Sequence, residues 1–198
     1  MKLSFIVSTY KRSENLRGLF SSLLVQSDPN WECIIMDEGD NIQMLPNDPR
    51  FKYHKFERIE LGFDNLGRGS LGLLAKDAGI QFASGEFIVF ANDDVYFLPL
   101  FVEILTSEQI RTGSDLELCD FVFACPGYQN RVISAYPQVG SICTSNYILR
   151  KSVIGGVKFA NFLTKEWYGV ADGLFIEKLI SQGIKHHKTD RGIFVVYN

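Results

Sequence analysis

The sequence lacks several features that would assign it to a broad class at once. No stretch approaches the roughly 18 consecutive apolar residues of a membrane-spanning helix, and the N-terminal "MKLSFIVSTYKR" is too short and polar for a secretory signal. The four cysteines form no C-x-x-C pair, so we expect reduced core thiols of a cytoplasmic protein. The net charge of −3 provides no broad basic surface, which argues against nucleic-acid binding.

The composition indicates a globular chain with a sizeable core. Apolar residues make up 46% of the 198 residues and charged residues 22%, a balance typical of a folded protein. Neither a linker nor an internal repeat divides the sequence. We therefore expect a single domain over residues 1–198, with a front half over 1–98 and a more irregular second half over 99–198.

The front half alternates strand-like and helix-like segments. "LSFIVST" and "WECIIMD" are continuous apolar runs, and "SENLRGLFSSLLVQS" between them has apolar residues at helical spacing, with Ser13 as the expected N-cap. Strand, helix and strand in this order predict a βαβ unit and a parallel sheet. A second helix is expected from Ser70 to Gly85, followed by the strand "EFIVFA".

The second half contains short β-prone stretches separated by turns over residues 118–151. A helix is expected in "VADGLFIEKLISQG" and two short strands in "IKHHKTDRGIFVVYN". The whole pattern predicts an α/β fold in which a mostly parallel central sheet is flanked by helices. A small second sheet is expected in the second half.

Polar side chains follow three of the predicted strands. They are Ser8, Thr9 and Tyr10 after the first, Asp37 and Glu38 after the second, and Asp93 and Asp94 after "EFIVFA". Because ligands of open α/β sheets bind outside the carboxyl ends of the strands, we expect these groups to share one site.

The adjacent carboxylates Asp93 and Asp94 would repel each other without a compensating cation or donors. Mg²⁺ and Mn²⁺ commonly link one or two carboxylates to substrate phosphates, so the pair is a candidate metal site for a diphosphate ligand. Alternatively, Asp93 and Asp94 form a turn or cap the next helix. The local sequence leaves the metal site and this structural role open.

Four segments, in order along nearly the whole chain, resemble family 2 glycosyltransferases, which have the GT-A fold. They are "SFIVSTYKRSENLRGLFSSLLVQSDPNWECIIMDEGD", "LGLLAKDAGIQFASGEFIVFANDDVYFLP", "SICTSNYILRKSVI" and "EWYGVADGLFIEKLISQG". The resemblance implies transfer of a sugar, with inversion, from a nucleotide diphosphate donor to a hydroxyl of a glycan or glycolipid. UDP is the commonest donor nucleotide in the family. A Mn²⁺ or Mg²⁺ cofactor is expected.

On the donor side, the resemblance implies that Asp94, with Asp93, holds the metal and that Asp93 also contacts the ribose or sugar. His187 is a further candidate metal ligand, although a histidine pair in a short strand is more often structural. The remaining candidates for binding the nucleotide or its phosphates are Ser8, Thr9, Tyr10, Asp37, Glu38, Arg68, Lys76 and Asn92.

On the acceptor side, the resemblance implies that Asp172 is the general base, with Glu166 as second choice. A helix-capping role for Asp172 is the alternative, and the two roles are compatible. Trp167 and Tyr168 could form a platform for an acceptor sugar ring, or pack in the core.

The sequence also departs from the family pattern. Asn92 stands at the first position of the D-x-D motif, Glu38 replaces an aspartate, and Lys76–Asp77 replaces the usual Arg–Asn pair. Many relatives are longer, so the chain is either a minimal catalytic domain or part of a longer protein. Peripheral membrane association stays open.

Two other functions remain as alternatives. A sugar-phosphate nucleotidyltransferase would use a similar sheet and a metal, but the first turn, "STYKRSEN", lacks the glycines of that class. A non-catalytic nucleotide-sugar-binding domain would explain the departures at Asn92 and Asp77.

Overall fold

The structure, a computed structural model, describes residues 1–39, 45–62, 72–124 and 129–197. The strands are β1 Leu3–Thr9, β2 Trp31–Asp37, β3 Phe51–Lys55, β4 Phe87–Asn92, β5 Val95–Phe97, β6 Leu116–Phe123, β7 Arg131–Ile133, β8 Tyr147–Arg150 and β9 His186–Tyr197. The α-helices are α1 Ser13–Leu24, α2 Leu73–Gly79, α3 Phe101–Thr112 and α4 Ala171–Ser181. No α-helix in these ranges is long and apolar enough to cross a membrane.

One sheet runs through the described part of the chain. Its strand order is β3-β2-β1-β4-β8-β6-β9-β5, and β7 pairs with β6. The front-half strands β3, β2, β1 and β4 are parallel, which confirms the predicted βαβ architecture. The expected separate second sheet is wrong, because β8 pairs antiparallel with both β4 and β6 and so joins the later strands to the same sheet.

The core consists of apolar layers on the two faces of this sheet. Successive side chains of a strand point to opposite faces, so Phe5 and Val7 pack on the side of α1 and α3, and Ile6 packs on the side of α2 and α4. Helix α2 lies very close to β1, since a Cβ at Gly79 would come within 2.4 Å of the Ile6 side chain. Burial on both faces explains why β1 reads as a continuous apolar run.

Several local expectations need correction. Ser13 is the first residue of α1, and the N-cap position is Arg12, which makes no side-chain capping bond. Helix α2 ends at Gly79 and continues only as a short 3-10 helix, Ile80–Phe82, and Ser70 lies outside the described residues. The C-terminal segment is one strand, β9, because it pairs with β6 through two register shifts and then with β5.

Candidate active site

A cavity of about 520 Å³ opens at the carboxyl ends of β1, β2 and β4. Parallel pairing places these ends level, since Ser8 pairs with Asn92 and Thr9 with Asp37. The lining residues are Ser8, Thr9, Tyr10, Arg12, Glu38, Arg58, Gly72, Asn92, Asp93 and Asp94. We call it the donor cavity. A larger hollow of about 670 Å³ lies elsewhere, beside Asp77 and Lys151.

The two adjacent carboxylates are compensated by groups from the end of β1. The Thr9 hydroxyl donates to Asp93 Oδ2 at 2.8 Å, and Arg12 bridges both acids, with Nη1 3.0 Å from Asp93 Oδ1 and Nη2 3.1 Å from Asp94 Oδ2. Burial raises the pKa of Asp93, and the charge of Arg12 and the bond from Thr9 oppose that rise. Arg12 is not among the residues predicted from the sequence. The signal was the need of two adjacent anions for a cation from a neighbouring strand end.

One carboxylate oxygen in this turn is left without a partner. Asp94 Oδ1 is buried and accepts no hydrogen bond from the described part of the chain. A buried carboxylate oxygen without a donor is unfavourable unless a ligand completes it. The donor set therefore fits a hard divalent cation held by Asp93 and Asp94, which offer oxygen ligands at the cavity wall.

The two acids at the end of β2, Asp37 and Glu38, have different surroundings. Asp37 points into the protein, where its Oδ1 accepts from the Gly39 N–H at 2.8 Å and its Oδ2 from the Tyr53 hydroxyl at 3.0 Å. Glu38 lines the donor cavity. Asp37 thus shapes the turn that presents Glu38, and both of its oxygens already have protein partners.

Tyr10 and Gly72 also line the donor cavity. The Arg58 guanidinium lies 3.8 Å from the Tyr10 ring centroid, and the Lys11 ammonium lies 5.3 Å from it. Gly72 has φ +75°, and a Cβ there would come within 2.2 Å of Ser8 Oγ, so only glycine fits. Tyr10 and Arg58 thus give the cavity a cationic and aromatic surface. Arg58 is a second lining residue that was not predicted from the sequence.

A smaller cavity of about 130 Å³ adjoins the first and shares Asn92 with it. Its lining residues are Leu73, Lys76, Asn92, Cys143, Thr144, Gly169 and Asp172. We call it the base cavity. Asp172 lies in the first turn of α4, and its Oδ1 accepts from the Gly173 N–H at 2.8 Å. Burial raises the pKa of Asp172, while that bond and the Lys76 charge oppose the rise.

Several predicted site residues are not brought to these cavities. Glu166 is exposed and lines neither of them, and Trp167 is 50% exposed, so it does not pack in the core. Arg68 lies outside the described residues. The unusual Asp77 is half-buried and accepts from the backbone N–H groups of Phe159 and Ala160, at 3.0 and 2.9 Å.

His187 lies at the opposite end of the sheet from Asp94. It pairs with Glu117, near the start of β6. The start of β6 is level with the start of β4, because Leu149 of β8 pairs with Leu116 of β6 and with Ile88 of β4. Asp94, by contrast, follows the end of β4. Its Nδ1 lies 2.6 Å from Glu117 Oε1. The expectation that His187 shares a metal with Asp94 is therefore corrected, because three strand spacings, roughly 14 Å, already separate β9 from β4.

The sequence profile of glycosyl transferase family 2 matches residues 4–134, about two thirds of the chain. The chain belongs to this family. Both the donor cavity and the turn with Asp93 and Asp94 lie within the matched residues, whereas Asp172 follows them.

Two curated relatives agree with this membership. The glucosyltransferase WfgD of Escherichia coli, named UDP-Glc:alpha-D-GlcNAc-diphosphoundecaprenol beta-1,3-glucosyltransferase, is 27% identical over 113 residues, which cover 56% of this chain and 42% of the relative. The uncharacterized glycosyltransferase YwdF of Bacillus subtilis is 28% identical over 123 residues, 62% of this chain and 41% of the relative. The chain thus matches less than half the length of either relative.

Solved structures of S. aureus TarS share the fold. The superposition with TarS has a TM-score of 0.78 at 17% identity and covers 100% of this chain and 37% of that chain. A TarS structure in complex with UDP gives a TM-score of 0.77 at 17% identity, over 99% of this chain and 60% of that chain. The predicted GT-A fold is confirmed.

Proposed function

We propose that the protein transfers a sugar from a nucleotide diphosphate donor, UDP being the expected nucleotide, to a hydroxyl of a glycan or glycolipid. The observation that carries the proposal is the pair of adjoining cavities. One contains the carboxylates Asp93 and Asp94, and the other contains the half-buried carboxylate Asp172. Asn92 lines both cavities, so a sugar held by its diphosphate in the first cavity has its reacting carbon near the second.

The donor cavity offers the groups that a nucleoside diphosphate needs. Tyr10 presents an aromatic ring, and Ser8, Thr9 and Glu38 present polar atoms at the strand ends. Arg58 and Arg12 supply positive charge in the same cavity, where phosphate oxygens would bind. The structural relatives support this assignment, since TarS has been solved in complex with UDP and with UDP-GlcNAc.

Asp93 and Asp94 are the residues that would hold Mn²⁺ or Mg²⁺. A divalent cation, when bound, stabilises the negative charge that gathers on the departing diphosphate. Asn92, which precedes the pair, accepts a hydrogen bond from Lys76, so it is oriented away from a ligand role. The D-x-D motif therefore acts here through its last two residues.

Asp172 is the proposed general base. Inversion requires the acceptor hydroxyl to attack from the side opposite the diphosphate, and its proton must go to a nearby base. The Asp172 carboxylate lies in the base cavity with Oδ1 bound to Gly173, which leaves the other oxygen to accept that proton. Because burial raises its pKa, Asp172 is a better proton acceptor than an exposed aspartate. The acceptor is proposed to enter from the α4 side.

Slow hydrolysis of donors in the absence of acceptor tests the proposal. The purified chain is incubated with Mn²⁺ and UDP-, GDP- and dTDP-sugars, and products are resolved by anion-exchange chromatography. Release of free sugar and nucleoside diphosphate is the expected result. Consumption of pyrophosphate with formation of a nucleoside triphosphate would instead indicate a nucleotidyltransferase. Tight binding without any turnover, with or without sugar acceptors, would reduce the protein to a binding domain.

A further inference from the structure

Lys76 is a fully buried lysine at the junction of the two cavities. Its exposure is 1%, and it extends from α2 into the base cavity. Lysine is rarely buried to this extent without a specific partner, because moving an ammonium group out of water is strongly unfavourable. Lys76 was predicted to contact donor phosphates, but its side chain lines the base cavity.

The contacts of Lys76 connect three elements. Its Nζ donates to Asn92 Oδ1 at the end of β4 and lies 3.3 Å from Thr144 Oγ1, just before β8. Both partners are neutral, so within the described ranges no direct carboxylate contact offsets the ammonium charge. An ammonium group has three donors, and the third is available to the cavity that contains Asp172.

We propose that Lys76 is a positioning residue for sugar transfer: it fixes the turn of Asp93 and Asp94 through Asn92, and its charge holds the Asp172 carboxylate in place within the base cavity. This inference rests on the proposed function of Asp172. It assigns Lys76 to the base rather than to the donor phosphates. It also explains why a lysine occupies a buried position, since the charge serves the neighbouring carboxylate.

The electrostatics of the cavity agree with this role. Burial lowers the pKa of Lys76 to about 8, against the opposing charges of Asp172, Asp93 and Asp94. The other titratable groups facing the pair are Cys143, in the loop before β8, and the hydroxyl of Tyr147, whose pKa is raised by burial and by the charge of Asp172. We expect activity to fall above about pH 8, as Lys76 becomes neutral and no longer attracts the Asp172 carboxylate.

The same charge predicts an unusual effect on stability. A lysine whose pKa is lower in the folded than in the unfolded state destabilises the fold at every pH where it is charged, and this effect disappears as the pH rises through the two pKa values. Replacing Lys76 with methionine removes the buried charge and keeps the packing volume. A lysine with only a structural role would instead stabilise the fold, and its loss would lower the melting temperature.

The test compares the Lys76→Met and Lys76→Arg variants with wild type. Lys151→Met is the matched control, because Lys151 donates to the Ala83 carbonyl beside the separate hollow and lines neither the donor cavity nor the base cavity. For Lys76→Met we expect turnover at pH 7 to fall about tenfold or more, with no decrease in melting temperature. Lys76→Arg keeps its charge at all accessible pH values, so its rate should show no decline above pH 8. The control should match wild type in rate.

A second measurement does not depend on turnover. ¹³C NMR of the Asp172 carboxyl follows its ionisation in wild type and in Lys76→Met. We expect the pKa of Asp172 to be higher in the variant, because the neighbouring positive charge is gone. Equal titration curves, or an unchanged rate in Lys76→Met, would overturn the role of Lys76. An inactive wild type whose Asp172 still responds to Lys76 would refute sugar transfer while leaving the coupling of the two residues intact.

Discussion

Two groups of carboxylates lie at opposite ends of the parallel strands, and they are satisfied in different ways. Glu32, at the start of β2, is 1% exposed and accepts hydrogen bonds from the ammonium groups of Lys2 and Lys52, at 2.9 and 2.7 Å. It also accepts from the Ser4 hydroxyl at 2.7 Å and the Ser84 N–H at 2.6 Å. At the other end, Asp94 retains a buried oxygen without a donor among the described residues.

This difference distinguishes a structural carboxylate from carboxylates that we propose bind a ligand. Burial alone would raise the pKa of Glu32, but its bonds from Lys52, Lys2, Ser4 and Ser84 hold that pKa well below the ordinary value. For Asp93 the balance is reversed, and burial raises the pKa despite Arg12 and Thr9. A carboxylate with all of its donors supplied stabilises the fold, whereas the Asp94 oxygen that lacks a donor among the described residues is available to a ligand in the neighbouring cavity.

The largest expected effect is on turnover. Asp172→Asn removes the proton acceptor of the base cavity, so the rate of sugar transfer or donor hydrolysis should fall roughly 10²-fold or more while UDP binding is retained. Steady-state kinetics and calorimetry measure the two quantities. Glu166→Gln, an exposed acid a few residues earlier, is the matched control and should keep the wild-type rate. An Asp172→Asn variant with normal turnover would remove this residue from the mechanism.

The next effect concerns stability and tests the comparison directly. Glu32→Gln removes the charge that two lysines and two serines surround, so the free energy of unfolding should fall by about 2–4 kcal/mol. Asp94→Asn gives up only a half-exposed pair with Arg12, so it should change stability by less than about 1 kcal/mol. Urea denaturation measures both. Equal decreases in the free energy of unfolding of the two variants would mean that Glu32 and Asp94 contribute equally to stability, and would contradict the comparison.

The loss of stability at acid pH should depend on Glu32. Because the pKa of Glu32 is lower in the folded than in the unfolded chain, its stabilisation is present above its ordinary pKa and is lost as the pH falls below it. Thermal unfolding from pH 7 to pH 3 should therefore show a steeper decline for wild type than for Glu32→Gln. Parallel curves would contradict the assigned role of Glu32.

The smallest expected effect is at Arg12. Its guanidinium bridges the oxygens of Asp93 and Asp94 that we expect to bind a cation, so Arg12→Gln should raise the affinity for Mn²⁺ alone by about three- to fivefold. Electron paramagnetic resonance of free Mn²⁺ measures this affinity without nucleotide. Arg17→Gln controls for the change in net charge, since Arg17 pairs with Glu14 on the exposed face of α1. The same gain in both variants would exclude a specific competition.

The sequence predicted the parallel strands and the acids at their ends, because apolar runs followed directly by polar residues depend only on local order. It could not predict the Arg12 bridge, which depends on the pairing of β1 with β4, more than 80 residues later. It misplaced His187 for the same reason, since the pairing of β6 with β9 fixes its position. The Arg12 bridge and the position of His187 both depend on pairing between strands far apart in the sequence, which local sequence patterns do not predict.

The burial of Lys76, by contrast, has a local signal in the sequence. Leu73, Lys76 and Gly79 follow one another at three-residue spacing and share the buried face of α2. That spacing places the lysine on the apolar side of a helix, where its ammonium group must find partners inside the protein. Lys76 was instead interpreted as a phosphate ligand. Lysines are more often exposed than buried, so its ammonium group was expected to be accessible to a charged ligand.

The most direct test of the account is calorimetric titration of the protein with UDP, in Mn²⁺ and in EDTA. For wild type we predict that Mn²⁺ raises the affinity for UDP about tenfold or more, because Asp93 and Asp94 hold the ion against the diphosphate. In Asp94→Asn this gain should disappear, while Asp115→Asn, altered in a distant pair with Arg150, should keep it. Equal UDP affinity for wild type with and without Mn²⁺, or full metal dependence in Asp94→Asn, would contradict the account.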